Sequence, residues 1–359
     1  FLVPKFLPNE SGDFVDRNKV ECGSIEKKMG IHASPTCVMH YNEAKGWLVG
    51  DINKGMRAMF IMMNGARLFV GIQGLGLSET AYQSALYYSK ERLQGKLSSS
   101  NQVADPIIVH GDVRRMLLNM KALTEGSRAL STYVAMTLDM ATYGEGEIKT
   151  KGESLSALMT PLAKAFFTDL GFDNAVAGQQ IFGGHGYIRE WGQEQLVRDA
   201  RIAQIYEGTN GIQAMDLLAR KVAASKGELM QVFINEVNTY IDQTSTENMQ
   251  EFILPLKAAT NDLAKLTQDV LMAAQNNIEE LGTSANDYLH VFGYTAMAFI
   301  WARMAETALE KDVSSDEFYL SKLKTARYYF ARLLPRRLSL IASIEAGCDT
   351  LFDLDENLF

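Results

Sequence analysis

The sequence predicts a mainly α protein in which a short β-rich segment precedes a long helical region. Residues 1–50 are rich in Gly, Pro, Asn and Asp, and their short apolar runs at 1–3, 37–41 and 47–49 predict β-strands. From Met56 onward, apolar residues recur at spacings of three and four, and proline is rare. Long stretches of this pattern, separated by turn-forming residues, predict an antiparallel bundle of helices.

The apolar periodicity predicts three helices before Lys221 and four after it. The first three cover about 55–93, 103–142 and 155–182, and clusters of turn formers follow them at 95–101, 144–152 and 183–192. The later four cover about 224–245, 252–280, 285–310 and 316–345. We therefore expect three parts: a β segment at 1–50, a helical domain at 51–222, and an additional helical extension at 223–359.

Composition excludes several classes of protein. The chain has 359 residues with 47% hydrophobic content, which is enough for a large buried core. A net charge of −8 argues against a general nucleic-acid binder, which needs basic residues to neutralise phosphate. Three cysteines far apart in sequence indicate neither zinc nor a disulfide framework, so a reducing compartment such as the cytoplasm is expected. The apolar runs are shorter than the roughly 20 residues of a membrane-spanning helix.

One carboxylate is a candidate general base. Residues 205–213 read IYEGTNGIQ and place Glu207 beside Tyr206 and Gly208 in otherwise apolar, helical sequence. A glutamate held against apolar neighbours is poorly solvated as an anion, so we expect its proton affinity to rise toward the range useful for removing a proton from carbon. Taken alone, the same residue also fits a charged helix end followed by a glycine break.

Two further motifs precede that glutamate and give the chain its resemblance. Residues 180–187 read QIFGGHGY, and residues 198–201 read RDAR. In this order the three motifs resemble the C-terminal half of the acyl-CoA dehydrogenase family of flavin enzymes. The segment KMGI at 28–31 resembles the end of that family's β-barrel domain, and residues 223–359 resemble the extra helical domain of its longer branch.

The resemblance implies a fold and a missing part. The fold would be mainly α: the end of a β-barrel-like middle domain, then an antiparallel helical bundle, then an additional C-terminal helical domain. The chain would be a C-terminal fragment without the N-terminal helical domain and the first part of the β-domain. We expect such a fragment to bind flavin weakly and to be inactive by itself.

The resemblance also implies a reaction, the α,β-dehydrogenation of an acyl-CoA thioester to a trans-2-enoyl-CoA. Glu207 would remove the α-proton, and FAD would accept the hydride. In one branch of the family the base directly precedes an arginine on the first long helix, but here that position is Ala66, before Arg67. Tyr206 would shape the acyl pocket. Arg67 and Asn64 would support the CoA side, where Asn64 replaces the usual aspartate.

Five residues match the family's flavin-binding positions: Arg92, Gln180, Gly183, Gly184 and Thr209. A guanidinium suits pyrophosphate because it is a permanent forked donor, and paired glycines let backbone N–H groups approach a phosphate closely. Taken alone, the glycine turn is also an ordinary connection between helices. The family implies transfer of electrons to an electron-transferring flavoprotein, a homodimer or homotetramer, and the mitochondrial matrix if the source is eukaryotic.

The remaining signals leave alternatives open. His185 is interpreted as a polar turn residue, and the scattered histidines predict no metal site. Residues 318–338 contain six basic residues, no acidic ones and several aromatics, which fits either a helix on an anionic membrane or, as we favour, a helix packed on the bundle. Two non-catalytic alternatives are a DNA-protective homologue of the same family, which the acidic composition disfavours, and an assembly partner.

Overall fold

The computed structural model describes residues 1–311 and 316–359, with the side chains of Ile61 and Asn64 outside the described set. It is 72% helical with few strands, which confirms the predicted mainly α fold. The chain divides into two units, residues 1–66 and 67–359, and each is described by itself.

The first unit contains two antiparallel β-hairpins. Strand β1 (Phe6–Pro8) pairs with β2 (Phe14–Arg17), and β3 (Val20–Ile25) pairs with β4 (Cys37–Tyr41). The predicted strand at 37–41 is therefore confirmed. The predicted strands at 1–3 and 47–49 contribute only an isolated bridge between Leu2 and Trp47.

Asn18 joins the segments of this unit that lie apart in sequence. Its side chain is almost completely buried, and its amide donates to the carbonyls of Pro4 at 2.9 Å and Lys45 at 2.8 Å. Its side-chain oxygen accepts from the backbone N–H of Lys45 at 3.0 Å. Because a buried amide must satisfy its hydrogen bonds, this residue fixes the loops at both ends of the unit.

Eleven α-helices lie in the described parts of the chain. The first five are α1 (Gly55–Glu91), α2 (Gly111–Tyr143), α3 (Gly146–Phe182), α4 (Gln193–Ala203) and α5 (Asn210–Met215). The others are α6 (Glu228–Gln243), α7 (Gln250–Asn276), α8 (Glu279–Leu309), α9 (Glu317–Tyr328), α10 (Arg337–Glu345) and α11 (Asp349–Phe352).

Three predicted helix boundaries are wrong for identifiable reasons. Helix α3 begins nine residues before the expected 155, because Gly152 lies inside the helix where a Cβ would come within 2.5 Å of the backbone nitrogen of Ala141 on α2. That glycine permits close helix packing and does not mark a turn. Helix α2 begins at Gly111, after the Pro106 turn. The predicted helix at 316–345 is interrupted around Pro335, which lacks an N–H donor.

Within the second unit, the backbones of α1 and α3 lie very close together where the two helices cross. A Cβ on Gly74 of α1 would lie 2.7 Å from the carbonyl oxygen of Phe167 and 2.8 Å from the Cα of Thr168, both on α3. Only glycine allows the two backbones to approach this closely. The crossing places the part of α3 that follows Phe166 directly beside α1.

Helix α8 is the central helix of the C-terminal extension. Tyr288, Phe292, Met297 and Trp301 on this helix are completely buried, and they belong to the main hydrophobic core together with residues of α2, α3, α6 and α7. A helix that is apolar on all sides must be surrounded by other elements. Helix α8 therefore contacts both α3 and α5 of the preceding helical domain.

By length and composition alone, one helix among the described residues, α1, is long and apolar enough to cross a membrane. This differs from the expectation that the apolar runs are too short. The core helix of a soluble protein passes the same test, so the finding is weak evidence for a membrane span.

Candidate active site

The predicted base lies in a short loop between α4 and α5. Glu207 has φ = +56° and the following Gly208 has φ = +83°, so two successive residues adopt the left-handed region. For a residue other than glycine, this conformation costs about 1–3 kcal/mol and is enriched at functional sites. The side chain of buried Gln213 holds the loop from inside by donating to the carbonyls of Glu207 at 3.2 Å and Gly208 at 3.3 Å.

The loop ends at Thr209 and Asn210. The hydroxyl of Thr209 accepts from the N–H of Ile212 at 3.3 Å and caps the start of α5. The Asn210 side chain is buried and points back to α3, where its amide donates to Asp169 Oδ1 at 2.7 Å and to Thr168 Oγ1 at 2.9 Å. The loop is therefore attached to α3 by direct polar contacts.

A lysine lies beneath the same loop. Lys164 on α3 is fully buried, and its Nζ donates to Asn210 Oδ1 at 2.8 Å. Burial lowers the pKa of Lys164 to about 8, partly offset by the negative charges of Asp169 and Glu207. The carboxylate of Glu207 thus lies close enough to this ammonium group to influence its protonation.

Asp169 connects three elements. Its Oδ1 accepts from Asn210 and, at 2.7 Å, from Nε2 of Gln204, which lies just before the base loop. Its Oδ2 lies 3.2 Å from Nε2 of His290 on α8. Burial would raise the pKa of Asp169, but the hydrogen bonds and the charge of His290 hold it below its usual value. Asp169 is therefore ionised at neutral pH.

Tyr206 is half-buried beside the predicted base, and its hydroxyl donates to Oε1 of Gln73 on α1. Burial raises the pKa of Tyr206, which keeps the phenol protonated and available as a donor. The tyrosine therefore links the base loop to α1, and its role in the acyl pocket stays a prediction.

Arg67 forms an ion pair within the protein. Its Nη1 donates to Oδ2 of Asp216 at 3.0 Å, and both side chains are largely buried. Its Nε is buried without a hydrogen-bond partner among the described residues. The pairing compensates the arginine charge, so the expected contribution of Arg67 to CoA binding stays a prediction. The Asn64 side chain lies outside the described residues.

Three of the five residues expected to bind flavin line one cavity. Arg92, Gly183 and Gly184 surround a space of about 230 Å³ together with Gln94 and residues of α1 and α3. Gly183 has φ = +57° and ψ = −136°, a conformation open essentially only to glycine. Gln180 is exposed and is not among the cavity-lining residues. Thr209 lies on the base loop instead.

His185 also lines this cavity and is held by aromatic residues. Its ring stacks on Trp191 with a centroid distance of 4.4 Å, and its Nδ1 lies 2.9 Å from the hydroxyl of Tyr88. These contacts give the residue a packing role. Among the described residues, no group of three His, Cys, Asp or Glu side chains could hold a metal ion.

The basic stretch at 318–338 is packed against the helical domains. Tyr329 and Phe330 are buried in the main core. Three of the cations form ion pairs, namely Lys322 with Glu125 at 2.8 Å, Arg327 with Glu251 at 2.7 Å and Arg337 with Asp262 at 2.7 Å. This arrangement agrees with the favoured packing interpretation. It leaves fewer cations for a membrane or nucleic-acid surface.

Sequence reasoning missed the buried polar network behind the base. Lys164, Thr168 and Asp169 all lie on the apolar helix α3, and Asn210 was read only as part of the glutamate motif. A signal was present, because a lysine, a threonine and an aspartate within six residues of an otherwise apolar helix must find buried partners. The identity of those partners could not be read from the chain.

Comparison with known proteins assigns both helical regions. Residues 53–222 match the family profile described as acyl-CoA dehydrogenase, C-terminal domain, and residues 233–355 match the one described as acetyl-CoA dehydrogenase C-terminal like. The chain belongs to the acyl-CoA dehydrogenase family. Within that family it carries the C-terminal helical domain and the helical domain that follows it.

Two named acyl-CoA dehydrogenases are similar to this chain in sequence. The chain is 49% identical over 234 residues to the 3-methylmercaptopropionyl-CoA dehydrogenase of Ruegeria pomeroyi, a match that covers 65% of this chain and 40% of that protein. It is 31% identical to the broad-specificity linear acyl-CoA dehydrogenase FadE5 of Mycobacterium tuberculosis, covering 100% and 62% respectively. The chain thus spans 40% to 62% of the length of these two relatives.

Solved structures share the fold at low identity. Caenorhabditis elegans ACDH-11 in complex with C11-CoA has a TM-score of 0.74 and 20% identity, covering 97% of this chain and 56% of that one. An acyl-CoA dehydrogenase of Bacillus anthracis complexed with FAD has a TM-score of 0.68 and 22% identity, covering 94% and 57%. These likenesses establish the fold of the helical domains.

Proposed function

We propose that this chain forms the base-bearing and flavin-binding part of an enzyme that dehydrogenates an acyl-CoA thioester to a trans-2-enoyl-CoA, with Glu207 as the base. The observation that carries the proposal is the strained loop: Glu207 is held at φ = +56° between two helices by a buried polar network. A carboxylate fixed in this way can be aimed at one carbon atom, and such positioning contributes strongly to proton abstraction.

The proposed role of the Glu207 carboxylate is to remove one proton from the substrate. The α-carbon of a thioester is weakly acidic, because the carbonyl stabilises the carbanion that forms, and Glu207 would take that proton through one carboxylate oxygen. Tyr206, tied to Gln73, would form a fixed wall beside the base. The ammonium of Lys164 lies beneath the loop and donates to Asn210, so its role would be to orient the loop.

The residues around the small cavity fit the phosphate part of a dinucleotide. Arg92 supplies a forked donor, Gly183 uses a conformation reserved for glycine, and Gly184 has open space where a Cβ would lie. At about 230 Å³ the cavity is smaller than the roughly 300–1,000 Å³ of a typical small-molecule site, so it would take only part of the cofactor. FAD, when bound, supplies the acceptor for the hydride that leaves the β-carbon.

The partners follow from the family. An acyl-CoA would be the substrate, and an electron-transferring flavoprotein would receive the electrons. The two relatives described above are named a 3-methylmercaptopropionyl-CoA dehydrogenase and a broad-specificity linear acyl-CoA dehydrogenase. We therefore propose that the substrate belongs to one of these classes. We further propose a homo-oligomer in the cytoplasm, or in the mitochondrial matrix if the source is eukaryotic.

The test is anaerobic reduction of bound flavin in the protein at its full encoded length. Purified protein would be titrated with 3-methylmercaptopropionyl-CoA, butyryl-CoA and longer linear acyl-CoAs while the oxidised flavin band is recorded. We expect one class to bleach the band, and we expect Glu207→Gln to abolish bleaching while it retains flavin. The matched control is Glu228→Gln, an exposed carboxylate at the start of α6, which should behave as the wild type.

A negative result has a defined meaning. If flavin is bound and no thioester bleaches it, the dehydrogenase proposal fails. Salt-sensitive binding to duplex DNA would then favour the DNA-protective alternative, and failure to bind flavin at all would favour an assembly role.

A further inference from the structure

His290 connects the C-terminal extension to the polar network behind the base loop. His290 lies on α8, and its Nε2 is 3.2 Å from Oδ2 of Asp169 on α3. The other oxygen of Asp169 accepts from Gln204 and from Asn210, both at 2.7 Å. These two residues flank the loop that carries Glu207. His290 and Asp169 therefore connect the C-terminal extension to both ends of that loop.

The geometry specifies the protonation state of the histidine. Nδ1 of His290 lies 2.9 Å from the carbonyl oxygen of Asn286, and Nε2 faces a carboxylate. A carbonyl and a carboxylate only accept hydrogen bonds, so both ring nitrogens must carry hydrogen and the ring is an imidazolium. The ring edge also packs on Phe166 with a centroid distance of 5.7 Å. A charge-assisted hydrogen bond held by packing is strong and well oriented.

The acidic and basic groups around His290 are few. Asp169 and Asp173 face it from α3, and Asp287 lies on its own helix. Burial alone would lower the pKa of His290, but the Asp169 hydrogen bond and charge, with help from Asn286 and Asp287, raise it above its ordinary value. Burial and the charge of Asp169 raise the pKa of Asp173, and the charges of His290 and Arg336 partly offset that rise.

We propose that His290 is a positioning residue through which the C-terminal extension fixes the base loop, by holding Asp169 in the orientation that binds Gln204 and Asn210 together. The inference rests on the proposed function for its catalytic consequence, because Glu207 matters only if it is the base. It assigns a task to the extension: the helical domain alone would leave one oxygen of Asp169 without its charged partner.

The experiment compares loop dynamics with flavin reduction in the full-length protein. The variants are His290→Ala, His290→Gln, which keeps a donor but removes the charge, and Thr307→Ala, an exposed control on the same helix. Amide hydrogen exchange would be followed at residues 204–210, and reduction by acyl-CoA would be followed by stopped flow. His290→Ala should speed loop exchange about tenfold and slow reduction about tenfold, with acyl-CoA affinity unchanged.

The results for the three variants support or overturn the positioning role of His290. His290→Gln should lie between the wild type and His290→Ala in both measurements, and Thr307→Ala should match the wild type. Unchanged exchange at 204–210 in either His290 variant would overturn the proposal, even if the melting temperature fell. If the wild type is not reduced by any acyl-CoA but loop exchange still responds to His290→Ala, the proposed function fails while the positioning role stands.

Discussion

Gly74 is the position where a single methyl group should have the clearest effect on the fold. A Cβ there would lie 2.7 Å from the carbonyl oxygen of Phe167 and 2.8 Å from the Cα of Thr168. Both neighbours are backbone atoms and cannot rotate away, so α1 and α3 must separate. Overpacking of this kind costs about 1–3 kcal/mol. We therefore expect Gly74→Ala to lower the melting temperature by about 2–6 °C.

Gly76 provides a matched control two residues along the same helix. It is exposed, and a Cβ there meets nothing within 4 Å. Alanine in place of an exposed helical glycine stabilises a helix by about 0.5–1 kcal/mol, because it restricts the unfolded chain. Gly74→Ala and Gly76→Ala should therefore shift the melting temperature in opposite directions.

The crossing also has a functional consequence. Thr168 accepts from the amide of Asn210 at 2.9 Å, so separation of α1 and α3 should disturb the network behind the base loop. Gly74→Ala should slow flavin reduction, and Gly76→Ala should leave it unchanged. Differential scanning fluorimetry and stopped-flow reduction measure the two effects. Equal melting temperatures for the two variants would refute the packing argument.

Three further predictions concern the polar network. Asn210→Ala should destabilise the protein by about 1–3 kcal/mol, measured by thermal unfolding, because it removes buried partners of Lys164 and Asp169; an unchanged melting temperature would contradict this. Folding lowers the pKa of Lys164 from 10.5 to about 8. Below pH 8 the buried group is charged and its burial destabilises the folded state, and between pH 8 and pH 10.5 the folded protein loses this proton, so that the destabilisation is progressively removed. Wild type should therefore gain stability relative to Lys164→Met over that range, and a difference independent of pH would be inconsistent with it. The raised pKa of His290 means that its stabilising contribution is full below about pH 6.5 and is lost as pH rises through the raised value. The protection of amides 204–210, taken relative to their intrinsic exchange rate at each pH, should therefore fall there in wild type but not in His290→Gln.

Periodicity was sufficient to predict most of the fold. Seven long apolar patterns predicted seven helical segments, since the 3.6-residue repeat is a direct consequence of burying one helix face. Of the three wrong boundaries, two lie beside prolines, and the third occurred where a glycine had a different role from the assumed one. Gly152 was interpreted as a turn former, but it lies buried in α3 against Ala141. Sequence alone does not distinguish a glycine that ends a helix from one that lets two helices touch.

The candidate site was predictable only where the family motif is local. Tyr206, Glu207 and Thr209 lie within four consecutive residues, and the structure places them on one strained loop. The partners of that loop come from far along the chain. His290 is 83 positions after Glu207, and its contact with Asp169 depends on how α8 packs on α3. Such tertiary contacts carry no local pattern, so they required the structure.

The central claim is that Glu207 removes the α-proton, and proton exchange measures this step without hydride transfer. An acyl-CoA with sulfur in place of its β-carbon has no β-hydrogen to lose. The full-length protein with bound FAD would be incubated with such a thioether in D₂O, and deuterium at the α-carbon would be followed by NMR. The account predicts rapid incorporation in wild type and in Glu228→Gln, and none above the uncatalysed rate in Glu207→Gln. Incorporation at the wild-type rate in Glu207→Gln would contradict the account.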